Sequence, residues 1–271
     1  MRRALIAVGV AALLSFTAFP FAWMIATAFK PPDEIFVSPP EFLPRRVTLD
    51  NLARLFDETR FALYMLNSVL VAGATVVLTL ALAVPGAYAL TRFRFRGRES
   101  ITATILLTYM FAPIMIIIPF YVLMRALGLV NTHAGLVLAY TAFCLPFALW
   151  LLRTYFQAIP VELEEAAMTD GASRAQTVRH VLLPVALPGV VATGTFTFIL
   201  AWNDYIFARV LLAADELKTL PVGIADLYNA SVVDWGMIMS AGMLVLVPVL
   251  AVFVFLQRYL VAGWGSGGIK G

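Results

Sequence analysis

The 271-residue chain holds a single cysteine, Cys144, and only two histidines, His133 and His180. One thiol cannot close an internal disulfide, and Cys144, set in an apolar run, reads as an inert packing residue. Charge is scarce as well: Asp, Glu, Lys and Arg make up 13% of the chain, against about 25% in soluble domains. The net charge is only +3, with no basic stripe interleaved with aromatics, so a nucleic-acid partner is not expected. What fills the sequence instead is apolar: hydrophobic residues reach 62%. That composition reads as an all-α membrane protein rather than a water-facing globule.

A membrane crossing needs about 20 predominantly apolar residues. Runs of that order predict six transmembrane helices, at 4–29, 64–90, 100–124, 134–152, 188–212 and 237–260, in a single transmembrane domain spanning 1–271. Pro20, Pro85, Pro113, Pro119, Pro146 and Pro248 fall inside these runs and predict bent helices, tolerated where neighbours satisfy the freed backbone groups. Arginines set the orientation. Arg2 and Arg3 precede the first run, and Arg92, Arg94, Arg96 and Arg98 crowd the link between the second and third, so both segments are expected in the cytoplasm. The rival role for that arginine link is contact with anionic lipid heads. Counting crossings places both termini and the polar stretch 159–184 in the cytoplasm, and segment 30–63 outside. His133 and His180 then lie on opposite sides, which excludes a shared metal site. The chain start imitates a secretory signal, but its apolar run of about 25 residues exceeds the 7–15 of a signal core.

The polar stretch carries its own local instructions. Pro160 suits a first helical position, and Glu162, Glu164 and Glu165 complement the positive end of a helix dipole. Ala166, Ala167 and Met168 propagate that helix. Within Asp170-Gly171-Ala172, the glycine can take the left-handed conformation that closes it. Ser173 with Gln176 reads as a capping box opening a second helix, expected to stop at Pro184. The order Glu165-Ala166-Ala167, three residues, Gly171, nine residues, then Val181-Leu182-Leu183-Pro184 resembles the EAA loop of membrane permeases in binding-protein-dependent ABC importers. Val181 stands where that motif has Ile.

The resemblance continues along nearly the whole chain, whose order looks like that of the second permease of maltose-type carbohydrate importers. Its marks are Lys30-Pro31-Pro32, Asn67-Ser68, Ala87-Tyr88-Ala89-Leu90, Leu127-Gly128-Leu129-Val130-Asn131-Thr132, Trp202-Asn203-Asp204 and Gln257-Arg258-Tyr259-Leu260-Val261-Ala262-Gly263. Asp204 departs from the usual Glu, and Trp264 to Ile269 depart from the usual tail. The resemblance implies the type I ABC importer permease fold and a multi-pass place in a bacterial or archaeal inner membrane. It also implies a second, different permease, two ATPase subunits carrying ATP and Mg, and an extracytoplasmic solute-binding protein. A sugar or oligosaccharide is the implied cargo; glycerol phosphate or a polyamine is the alternative. The first helix of 159–184 would sit in a groove of an ATPase subunit.

Several residues keep two readings. Glu165 is either a partner contact or a solvated helix-start acid. Asp204 lies about 24 Å along a helix from Pro188, and either lines the solute path with Asn203 or braces the helix near water. Trp202 suits a sugar ring or the membrane interface. Tyr109 and Tyr140 offer hydroxyls to the pathway or to neighbouring helices. Gly263-Trp264-Gly265-Ser266-Gly267-Gly268 fits a dinucleotide pattern, yet a strand before it and a helix after it are lacking; it reads as a tail, with no nucleotide or other cofactor on this chain. A self-powered transporter would need intramembrane acids beyond Asp204. An enzyme would need a catalytic constellation, and the spans offer none.

Overall fold

In a bilayer an apolar run has one local solution, the helix, because a helix satisfies its own N–H and C=O groups. The structure, a computed structural model, describes residues 2–110 and 113–265; the side chains of Ala4, Leu106, Tyr109, Pro113 and residues 260–265 lie outside the described set. Every regular element among the described residues is helical: α1 (Arg2–Ala28), α2 (Pro32–Ile35), α3 (Asp50–Asp57), α4 (Phe61–Arg92), α5 (Arg98–Tyr109), α6 (Pro113–Ala126), α7 (His133–Gln157), α8 (Glu162–Thr169), α9 (Arg174–Thr177), α10 (Leu183–Val185), α11 (Leu187–Asn203), α12 (Ile206–Leu211), α13 (Leu220–Tyr228) and α14 (Trp235–Gly265). A π turn, Val178–Leu182, joins α9 to α10.

Among the described residues the expected six membrane-long helices are not found. Four described helices are long and apolar enough to cross: Leu5–Ala28, Phe61–Arg92, His133–Gln157 and Trp235–Tyr259. A fifth is reached only if Arg174–Val185 and Leu187–Asn203, bent by 80°, count as one span. Two expected runs fail for separate reasons. The run 100–124 is divided into α5, of 12 residues, and α6, of 14, each short of the roughly 20 needed. Pro113, which has no N–H to donate, opens the second piece, a position that suits proline. The run 188–212 stops at Asn203, because Asp204 turns extended (φ −70°, ψ 129°). With the six falls the crossing count that put both termini on one side. Pro20, Pro85, Pro119, Pro146 and Pro248 do lie within helices.

The chain divides into two compact units, one of residues 1–66 and 219–250, the other of 67–218 with the chain from 251 onward. In the first, polar groups tie the segment after α1 into place. Buried Asn51 donates to the carbonyls of Ala28 (3.0 Å) and Lys30 (2.7 Å), fastening α3 to the end of α1. Buried Lys30 bonds the Glu41 carbonyl and lies 4.8 Å from the Trp23 ring centre. Arg54 bridges Glu58 (2.8 Å) and Asp234 (2.7 Å). Burial pushes the Glu34 carboxyl up, but hydrogen bonds from Arg45 and Arg46 outweigh it and hold it below the usual range. The Arg45 guanidinium likewise holds Glu41 low.

In the second unit α7 is the axis, with α5 and α11 packed along it. At its N-terminal end, Asn131 sits at φ 58° and its N–H donates to the Leu211 carbonyl (2.7 Å). Its Oδ1 accepts from Ala213 (2.9 Å) and Ala214 (2.8 Å). His133 Nε2 meets the Leu217 carbonyl at 2.9 Å, and Asn67 donates to the carbonyls of Glu216 and Lys218, both at 2.9 Å. Segment 211–218 is thereby strapped to this end. The stretch 159–184 occupies the other.

Candidate functional site

The 159–184 stretch folds largely as the local sequence dictates, but Pro160 does not take the first helical position: it precedes the cap residue Val161, and α8 begins at Glu162. α8 carries Glu162, Glu164 and Glu165 in its first turn, where the helix dipole favours acids. It closes as a Schellman motif: Gly171, at φ 90°, donates to Met168 (3.1 Å), and Ala172 donates to Ala167 (3.0 Å). The capping box forms in both directions, Ser173 N–H to Gln176 Oε1 (2.8 Å) and Gln176 N–H to Ser173 Oγ (3.4 Å). A second expectation is corrected. The second helix does not stop at Pro184 but runs to Val185. The proline lacks an N–H and its ring crowds the carbonyl four residues back; the π turn before it, where Leu183 donates to the Val178 carbonyl five residues back, makes room. The chain then bends by 80° into α11. At that joint Gly189 lets the Tyr155 ring approach; a Cβ there would lie 2.3 Å from the ring.

The three glutamates separate in space. Glu162 and Glu165 are exposed, as are Ala166, Asp170, Gly171 and Pro184, while Ala167 and Ala172 are half-buried. Val161 (45%), Leu163 (45%) and Met168 (38%) are also exposed; at about 100° per residue the cap residue Val161 and Met168 flank Glu165, while Leu163 lies on the opposite side of α8. Glu164 instead turns inward. Its Oε1 lies 2.6 Å from Arg92 Nε, and Arg92 also donates to the Ile159 carbonyl (2.9 Å). The arginine and glutamate side chains are 10% and 3% exposed. Sequence reading missed this pair, because the two residues stand 72 positions apart and each has an adequate local role. Arg174 adds a contact, its guanidinium 5.1 Å from the Phe93 ring centre. The arginine link 92–98 and the hairpin therefore share one end of the unit.

The pathway candidates disperse. A cavity of about 500 Å³ is lined by residues including Phe120, Tyr140, Phe143, Cys144, Asp204 and Phe207. At its polar spot Tyr140 donates to Asp204 Oδ1 (2.9 Å), and the same oxygen accepts from the backbone N–H groups of Phe207 (3.0 Å) and Ala208 (3.3 Å). Asp204 is thus both a cavity wall and an acceptor for the first turn of α12. Trp202 is 1% exposed and stacked on Phe198 at 5.5 Å, and does not line that cavity. Asn203 is exposed and donates to the Ile199 carbonyl four residues back (2.8 Å). The side chain of Tyr109 lies outside the described residues, as do residues 266–271; α14 runs into the first part of the glycine-rich tail. Among the described residues no group of three or more His, Cys, Asp or Glu is placed to hold a metal ion.

Residues 80–265 match the family described as the inner membrane component of binding-protein-dependent transport systems. The chain is 36% identical to the inner membrane ABC transporter permease protein YcjP of Escherichia coli, over 97% of this chain and 95% of that one. It is 37% identical to the diacetylchitobiose uptake system permease protein DasC of Streptomyces coelicolor, over 93% and 92%. Its fold superposes with a TM-score of 0.82 and 27% identity on a crystal structure of a bacterial ABC transporter involved in the import of the acidic polysaccharide alginate, covering 94% of this chain and 95% of that one. The capped hairpin, the helical membrane body and these likenesses agree: the chain belongs to the binding-protein-dependent transport system inner membrane components, as a multi-pass inner-membrane permease subunit of an ABC importer.

Proposed function

We propose that this permease pairs with a second, different permease to form the membrane path for a sugar or oligosaccharide, delivered by an extracytoplasmic binding protein and driven by two ATPase subunits that carry ATP and Mg. The observation that carries the reading is the exposed side of α8 on which Val161 and Met168 flank Glu165, on a short helix closed by a Schellman motif at one end. A capped helix of this kind moves as a body, so a push from an ATPase subunit reaches the helices that flank it. The arginines of 92–98 lie beside the hairpin, and basic residues of that kind favour the cytoplasm, the side on which ATP is available. Diacetylchitobiose and alginate in the names of relatives support a carbohydrate cargo.

Glu165→Lys tests the docking. In complexes reconstituted with all subunits, the variant should insert normally, bind ATPase subunits weakly and lose solute uptake. Normal uptake refutes the role. For the cargo, candidate solutes are screened for a rise in thermal stability of the cognate binding protein, since a ligand of the folded state raises it. Stabilisation by sugars supports the proposal; stabilisation by glycerol phosphate or polyamines alone overturns the carbohydrate assignment.

A further inference from the structure

The flanking helices α7 and α11 are joined to the hairpin by the chain itself, but α4 reaches it only through side chains. That connection is built with unusual care. Arg92, in the last turn of α4, spends its guanidinium on Glu164 of α8 (2.6 Å) and on the carbonyl of Ile159 just before α8 (2.9 Å). Both side chains are almost wholly withdrawn from water. Around them Ala87 and Tyr88 of α4, Phe156 of α7, Ile159, Leu182 and Ala186 form one buried apolar cluster. Tyr88 interacts with the Glu164 carboxylate and packs edge-on against Phe93, over which Arg174 of α9 lies. Both halves of the hairpin are thus fastened to the same end of α4.

A surface ion pair would slip under load, since it holds less than about 1 kcal/mol. A buried charge differs, because leaving its partner also leaves it unsolvated, so separation is opposed throughout the stroke. We infer that Arg92 and Glu164 are positioning residues of the transport cycle: they clamp the hairpin to α4, making α4 a third helix that moves with it. The inference rests on the hairpin being the ATPase-docking element. A hairpin that moved α7 and α11 alone would need no such clamp.

The test uses the whole complex, both permeases, ATPase subunits and binding protein, in proteoliposomes. Glu164→Gln and Arg92→Gln keep shape while removing one charge. Each should lower solute moved per ATP hydrolysed by about tenfold, the scale on which a single network residue alters coupling, with ATP turnover falling less than uptake. Arg92→Lys keeps the charge but loses the forked contact, and should fall between wild type and Arg92→Gln. An unchanged coupling ratio in both Gln variants overturns the inference. A second measurement leaves the pair intact: spin labels at exposed Leu82 on α4 and Ala166 on α8 should keep one separation in nucleotide-free and ATP-bound complexes. A change of more than about 3 Å, just over half a helical turn's 5.4 Å rise, overturns it too. Failure of the docking reading is distinguished by a cysteine introduced at Glu165: no crosslink to an ATPase subunit in the wild-type background rejects the docking itself, whereas a crosslink with an unchanged coupling ratio rejects only the clamp.

Discussion

Gly189 offers the sharpest check on the joint between hairpin and α11. A Cβ at this position would lie 2.3, 2.6 and 2.7 Å from three carbons of the Tyr155 ring, where unstrained carbons sit about 3.5–4.0 Å apart. The ring must therefore retreat by about 1 Å or more, and its neighbours Leu152 and Phe156 are completely buried. Overpacking of this kind costs about 1–3 kcal/mol. Helix propensity works the other way, Ala being favoured over Gly by about 1 kcal/mol, so Gly189→Ala alone would be hard to interpret. Gly194 on the same helix supplies the reference. Its Cβ would meet Leu80 and Val76 at 3.4 and 3.5 Å, ordinary contact distances. The propensity gain is common to both variants, so their difference isolates the clash. At about 2–4 °C per kcal/mol for a protein of this size, Gly189→Ala should melt roughly 2–12 °C below Gly194→Ala, followed by size-exclusion chromatography after heating in detergent. Adding Tyr155→Ala should recover part of the loss. Equal melting of the two variants, or no recovery, would refute the argument that glycine is there to admit the ring.

Other consequences concern capping, burial and pH. Asp204→Ala removes the acceptor shared by Tyr140, Phe207 and Ala208 and should cost about 0.5–2 kcal/mol, while Asp204→Asn retains an oxygen and should cost less by the same thermal assay. Asn51→Ala leaves the carbonyls of Ala28 and Lys30 without their buried donor, for a loss of about 1–3 kcal/mol and faster proteolysis of residues 30–58. Asn131→Gly should be tolerated better than Asn131→Ala: both lose the bonds to Ala213 and Ala214, but only alanine meets the strain of φ 58°, about 1–2 kcal/mol. Glu34 and Glu41 are held below the ordinary carboxylate range, so their stabilising effect is present above the unfolded value near pH 4.3 and is lost as pH falls through their lower folded values. Residues 30–46 should therefore resist an acid-active protease at about pH 5 and yield at about pH 3; equal cleavage would contradict the network drawn around Arg45 and Arg46.

The hairpin was legible before any coordinates because its signals act over one to five residues. Glycine at 171 and a serine–glutamine pair at 173 and 176 select backbone conformations by themselves, and the structure has them at those places. The span count was not legible in the same way. Hydropathy adds side-chain preferences over a window and is blind to where a helix ends inside it, so the runs at 100–124 and 188–212 looked continuous, although the described helices in the first are the separate α5 and α6 and the helix in the second ends at Asn203. Pro184 misled for a related reason. Its effect on a helix depends on whether the preceding turn can widen, and here it does.

Sequence alone settled the solvent, the helical class and the corner at Gly171, since apolar composition and local torsional preference need no distant partner. Only the tertiary structure decided that Glu164 faces Arg92 while Glu165 faces outward, and that Asp204 meets Tyr140. Neighbouring acids look alike along the chain. What separates them is about 100° of helical rotation per residue and the identity of the helix that rotation turns each one toward.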